Sequence, residues 1–232
     1  MKSIRLIIVC LFIVLISACG KDETPTIKEK PKPNVTEPVS VEKTNTMKVY
    51  MHMMPWFETK ESLGGDTWGY HWTMLNKDPE NIEAETGQRE IAAHYYPLTG
   101  PYHSGDKDII EYQLLLMKYA GIDGLLIDWY GTYDVHDYKI NLDNSEAIID
   151  MVDDVGLQYG IVYEDRFADV IVSNGAESNR VEVGINDFIY MDENYFVQNN
   201  YININNKPLV LVFGPETYEA NEWTSIFDGA EA

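Results

Sequence analysis

The sequence is short of cysteine, of basic residues and of long apolar runs. Its two cysteines, Cys10 and Cys19, both fall near the start, so Gly20 to Ala232 contains no thiol. A catalytic cysteine, a disulfide framework, zinc–thiolate and iron–sulfur chemistry are thereby excluded from that stretch. Residues 47–232 carry 10 Lys and Arg against 33 Asp and Glu, a net charge of −23. A surface of that sign repels nucleic acid and anionic lipid, but not a neutral polymer such as a glycan. The longest unbroken apolar run, Leu6–Ile16, has eleven residues, short of the ~20 that a helix needs to span ~30 Å of hydrocarbon. No glycine-rich phosphate loop follows the first candidate strand, which argues against a dinucleotide fold. No Gly-x-Ser-x-Gly elbow occurs, which argues against an esterase or deacetylase. His71, His94, His103 and His136 show no H-x-x-x-H spacing, so neither a metal nor a cofactor is expected.

What is present begins with export. Lys2 and Arg5 precede the apolar run, which ends in Ile16-Ser17-Ala18-Cys19. The length and flanks are those of a secretory signal core, and the ending resembles a bacterial lipobox. The resemblance implies a signal peptide over 1–18 and a lipid on Cys19. More than one acyl chain makes such an anchor stable. Gly20 follows the cysteine, and Lys21-Asp22-Glu23 resembles a surface-export signal of Bacteroidetes lipoproteins. The expected location is the outer membrane, exposed at the cell surface, with the lipid as the sole membrane contact. Residues 19–46 hold four prolines, five lysines balanced by five acids, and no aromatic residue. That composition cannot build a core and reads as a disordered tether.

From Met47 the chain alternates β-like and helical stretches. Strands are expected at Lys48–Met54, Arg89–Tyr96, Leu125–Trp129, Gln158–Tyr163 and Pro208–Phe213. Helices are expected at Asp106–Ala120, Asn144–Val155, over 181–198 and at Thr217–Phe227, with Gly121 and Gly156 as stops. Short apolar strands alternating with helices predict an α/β fold with a parallel sheet. Polar and aromatic residues cluster where the strands end, the position of chemistry in a (β/α)8 barrel. Five strands fall short of eight, and an open apolar edge is a liability. Residues 47–232 are therefore expected to be a truncated (β/α)8 TIM-type barrel of about five β/α units.

Candidate site residues follow from those strand ends. Asp128, Trp129 and Tyr130 end one strand and Glu164 another. His94, Tyr95 and Tyr96 end the Arg89–Tyr96 segment, and Trp56 and His71 stand in an aromatic-rich stretch. An aromatic ring suits the C–H face of a pyranose, and carboxylates suit its hydroxyls. Each has a plainer alternative: Trp129 as core, Asp128 as a helix cap, Glu164 as an ion-pair partner of Arg166, and the Trp56–Trp72 stretch as a packed loop. Tyr95 and Tyr96 alternate faces, so at most one points inward.

The run Tyr95-Tyr96-Pro97, Gly100, Tyr102, Ser104, Asp106, Ile110-Glu111 and Leu126-Ile127-Asp128-Trp129-Tyr130 resembles glycoside hydrolase family 99, of endo-α-1,2-mannosidases and mannanases. Val162-Tyr163-Glu164-Asp165, Pro208–Tyr218, Met54–Phe57 and Trp68–Trp72 fit in order, so the resemblance spans most of 50–220. It implies a retaining (β/α)8 glycosidase acting within α-mannan or a related α-linked glycan. Trp56, His71, His94, Tyr95, Tyr96, Tyr102, Asp128, Trp129, Tyr130 and Glu164 would be its sugar-contacting residues. The family's catalytic glutamates lie in a Glu-x-x-Glu motif near the end of the barrel. Glu216-x-x-Glu219 has the letters but stands in another context, so no catalytic pair is carried over. Asp128 and Glu164 are the remaining weak catalytic candidates, and the true pair is expected beyond Ala232. The rival expectation is a non-catalytic surface glycan-binding lipoprotein.

Overall fold

A computed structural model describes residues 42–44 and 46–231. The signal peptide 1–18, Cys19 and nearly all of the tether 19–46 lie outside the described residues. No helix among the described residues is long and apolar enough to cross a membrane.

Four parallel strands form the main sheet: β1 (Tyr50–Met53), β2 (Gly124–Trp129), β3 (Gln158–Tyr163) and, after a two-strand hairpin of β4 (Asn203–Ile204) and β5 (Lys207–Pro208), β6 (Val210–Val212). The order is β1-β2-β3-β6. Met53 pairs with Ile127, Ile127 with Ile161 and Ile161 with Val210. The helices are α1 (Tyr70–Thr73), α2 (Lys107–Tyr119), α3 (Tyr138–Val152), α4 (Phe167–Ser173), α5 (Arg180–Met191) and α6 (Ala220–Ala230).

Local chemistry explains most boundaries. The Asp106 carboxylate accepts from the Asp108 and Ile109 amides and caps α2, which meets two of the orphan donors of the first turn. Gly121 and Gly156 take positive φ just after α2 and α3, the left-handed turn that glycine adopts at little cost. Asn205 and Asn206 both have positive φ, as a tight hairpin turn demands.

The main core lies on one side of the sheet. Leu125, Ile127 and Trp129 on β2, and Tyr159, Ile161 and Tyr163 on β3, are fully buried against Ile110, Leu114, Ile148, Val183 and Phe188 of the helices. The alternate residues His52, Leu126, Asp128, Gly160, Val162 and Leu211 lie on the opposite face, because successive side chains alternate. Helices on one face of a parallel sheet make a barrel segment, whereas a doubly wound fold covers both. The expected α/β barrel fold is therefore present in part.

Two expectations need correction. Arg89–Tyr96 is not a strand: Arg89 makes a single bridge to Ile82, and the segment runs as a loop. The Ala92 amide bonds the Trp72 carbonyl, and the Tyr96 hydroxyl accepts from the Arg89 amide. These ties fold the segment onto α1 instead of extending it. The main sheet thus has four strands where five were counted. The second correction is α4, which was not expected at all; α3 also starts six residues earlier than Asn144.

Candidate functional site

Asp128 is the last inward residue of β2, and Glu164 follows β3 directly. Both carboxyls are buried, at the C-terminal ends of neighbouring strands. His52 of β1 places Nε2 3.4 Å from Asp128 Oδ1. The Phe213 ring beyond β6 meets the His52 ring at a centroid distance of 6.0 Å, so the two outer strands touch across this face.

The electrostatics separate the two acids. Burial, then the neighbouring Glu164 charge, pushes the Asp128 carboxyl far above the ordinary aspartate range. Burial also raises Glu164, but the Arg166 guanidinium, which ion-pairs with it, opposes the shift. Burial lowers the His52 pKa. At neutral pH Asp128 is therefore neutral and His52 uncharged, beside the Glu164–Arg166 contact. Two adjacent carboxyl groups offer both donor and acceptor capacity, a set suited to sugar hydroxyls. The two buried carboxyls bond each other, and no N–H or hydroxyl group among the described residues makes an aligned bond to Asp128.

Beside this pair lies a cleft of about 720 Å³, lined by Trp56, Tyr70, His71, Met74, Tyr130, His136, Asp137, Tyr138, Arg166 and Phe167. Trp56 and His71 are stacked at 4.4 Å and 7°. The His71 Nε2 is 3.2 Å from Asp137 Oδ2. Burial alone would raise Asp137, yet its bond to His71 holds the carboxyl below its usual value. Tyr130 joins the two regions. It lines the cleft, and burial together with the charges of Asp128, Glu164 and Asp137 raises its pKa well above the normal range. Arg166 also belongs to both.

The turn that carries Tyr130 is held from behind. Asp187 of α5 is wholly buried and accepts from the Thr132 amide (3.0 Å), the Thr132 hydroxyl (3.0 Å) and the Tyr163 hydroxyl (2.9 Å). Gly131 sits between them with φ +100°, and a Cβ there would lie 2.8 Å from an Asp187 oxygen. Only glycine fits both demands.

Trp56, His71, Tyr130, Asp128 and Glu164 are thus brought together. Trp129 is not: it is fully buried on the helix side, stacked at 6.1 Å on Tyr190, so its expected sugar contact is corrected to core. His94 and Tyr95 are exposed in the corrected loop, away from the cleft lining. Tyr96 is spent on the Arg89 amide, and Tyr102 packs against Phe57 and Trp72. Glu219 is the N-cap of α6, in a capping box with Glu222, so the second glutamate of Glu216-x-x-Glu219 serves the helix start. Sequence reading missed Met74, Asp137, Tyr138 and Phe167 as cleft residues; Asp137 and Tyr138 follow the strand-end Tyr130 closely and could have been found from that position. Among the described residues no group of three or more His, Cys, Asp or Glu could hold a metal ion.

No family model and no curated protein matches the sequence. Among solved structures, the endo-α-mannosidase of family 99 from Bacteroides thetaiotaomicron in complex with bis-tris propane superposes with a TM-score of 0.51 and 20% identity, covering 72% of this chain and 42% of that one. A second structure of the family 99 endo-α-mannosidase from that organism gives 0.50 and 19%, covering 71% and 44%. The fold is shared with family 99 glycoside hydrolases. The resemblance seen in the sequence and the superposition agree on this architecture, and the chain spans less than half the length of those family 99 chains.

Proposed function

We propose that the protein is a glycoside hydrolase-like lipoprotein, held at the outer membrane through Cys19, that grips an α-linked, mannan-like glycan. The observation that carries this reading is the buried Asp128–Glu164 carboxyl pair beside the Trp56–His71–Tyr130 cleft. A sugar ring stacks on the aromatic wall while its hydroxyls meet the carboxyl pair. The net charge of −23 on residues 47–232 is compatible with a neutral polymer and argues against anionic ones. The family 99 structures are of endo-α-mannosidases, which supports endo-hydrolysis in a protein that also supplies the acid pair.

A second reading, a glycan binder without hydrolysis, is favoured by one observation: the sequence has no Glu-x-x-Glu at the site. Calorimetric titration with α-mannooligosaccharides, with product analysis of the same mixtures, tests both. Binding that drops at least tenfold in Trp56→Ala and Asp128→Ala supports the shared core of the two readings, and released fragments select the hydrolase. Equal binding by wild type and both variants, or none by any, overturns it.

A further inference from the structure

Trp56 and His71 reach the cleft from different segments, the loop after β1 and helix α1, yet their rings stack at 4.4 Å. Helix α3 holds both. Asp137, its N-cap, contacts His71. Two turns further along, Asn144 is buried and donates from Nδ2 to the Pro55 carbonyl (2.8 Å) and to Glu58 Oε1 (2.6 Å). These two partners bracket Trp56 in the chain. Glu58 is itself buried, and its backbone carbonyl accepts from the Gly69 amide, two residues before His71. Glu58 therefore meets α3 through its side chain and the start of α1 through its backbone. The Asn144 nitrogen is the donor in both of its bonds, so Oδ1 is the atom turned to His103 Nε2, at 2.9 Å, and that ring nitrogen brings the proton. The Ser62 hydroxyl donates to the second Glu58 oxygen. A buried polar network satisfied in this way is rigid. The surrounding backbone leaves it no slack: a Cβ on Gly69 would lie 2.6 Å from Glu58 Cβ, and one on Gly105 would lie 2.5 Å from Asn144 Oδ1. Neither Glu58 nor Asn144 lines the cleft.

We infer that Asn144 and Glu58 are positioning residues: they set Trp56 against His71, and so shape the aromatic wall of the cleft, without touching its ligand. A ring carried on a loop is mobile unless something ties the loop down. A platform made of two rings from two segments needs a third element common to both, with its own side chains locked by hydrogen bonds. Helix α3 is that element, with Asp137 on the His71 side and Asn144 on the Trp56 side. The effect on sugar affinity rests on the glycan reading; the placement of the ring does not. Phe57 keeps separate bonds to Ser104 and its stack on Trp72, so the loop stays folded when Asn144 is altered and only the setting of Trp56 changes.

Fluorine NMR of the full chain labelled with 5-fluorotryptophan reads the ring directly, its resonance being assigned by its loss in Trp56→Phe. Asn144→Asp keeps the shape but loses the donors and sets a second carboxylate against Glu58. It should move the Trp56 resonance while those of Trp129 and Trp223 stay in place. Gly105→Ala, which crowds Asn144 from behind, should do the same. Glu58→Ala should also move it, and Glu58→Gln, which keeps an oxygen for Asn144, should restore most of the wild-type position. Affinity for α-mannooligosaccharides, titrated on the same samples, should fall several-fold in Asn144→Asp and Glu58→Ala and recover in Glu58→Gln. An unmoved Trp56 resonance in Asn144→Asp and Glu58→Ala overturns the inference. So does a moved ring with undiminished affinity, or an equal shift of all five tryptophan resonances, which marks a general loosening of the fold. A selective Trp56 shift in a protein whose wild type binds no sugar upholds the positioning role and overturns the glycan reading instead.

Discussion

Replacing Asp187 by asparagine removes one ionisable group while keeping its shape and hydrogen-bond reach. Burial raises the pKa of this carboxyl from 3.8 to about 7, against the opposing bonds from Tyr163 and Thr132. Below pH 3.8 the group is neutral in both the folded and unfolded chain and contributes no pH dependence. Between 3.8 and about 7 the unfolded chain ionises while the folded one keeps its proton. Each pH unit in that window costs the folded state ~1.36 kcal/mol, on the order of 4 kcal/mol in all. Above about 7 both states are ionised and the slope vanishes. The asparagine side chain has no such proton. Its amide oxygen can still accept from Thr132, and its NH2 can donate to the Tyr163 hydroxyl. Urea unfolding followed by tryptophan fluorescence, at pH steps from 4 to 8, should show Asp187→Asn gaining on the wild type by several kcal/mol as pH rises, then running parallel to it. Asp187→Ala is the control. It leaves the Thr132 and Tyr163 donors unmet, at about 1–3 kcal/mol per buried group, and also removes the titration. Stability curves of wild type and Asp187→Asn that stay parallel from pH 4 to 8 would refute the reasoning.

Trp129→Ala should lower stability by about 3–5 kcal/mol through the cavity it leaves, yet leave the glycan affinity of the remaining folded protein within twofold. Trp56→Ala should do the reverse, so denaturation and titration on the two variants separate core from cleft. Asp123, at the start of β2, accepts from Lys43, Lys48 and the Val49 amide; burial alone would raise it, but these bonds hold its carboxyl down to about 2. Its contribution is present above an ordinary aspartate's 3.8 and is lost as pH falls towards about 2. Asp123→Ala should cost about 1–2 kcal/mol at pH 7 and only a small part of that at pH 2, measured by thermal melts at the two pH values.

The sequence made some elements legible because their signals were local. The Asp106 cap, the glycine stops and the continuous apolar runs of β2 and β3 each act within a few residues, and the structure keeps them. Arg89–Tyr96 failed for the opposite reason. Its strand-like letters are overruled by ties to Trp72 and by the Arg89–Tyr96 contact, neither of which local pattern reveals. Asp187 was invisible only because helix phase was not followed: Val183, Asp187 and Met191 stand four apart and are all buried, so the spacing itself puts an acid on the inward stripe.

The Trp129 correction turns on the same kind of phase. A strand apolar on both faces hides which residues look inward, and Trp129 beside Tyr130 then invites an aromatic platform. Asp128 breaks the ambiguity. A carboxyl facing the helices would take the place of the Trp129 ring beside Tyr190 and Tyr195, whose hydroxyls already donate to Glu146, at a cost of several kcal/mol. It must therefore face the open side, and alternation sends Trp129 into the helix layer. Glu164 carries the same constraint at the end of β3, which is why the two acids arrive at one place. One charged residue per strand fixes the phase of every neighbour, and with it which aromatic residues can reach a ligand.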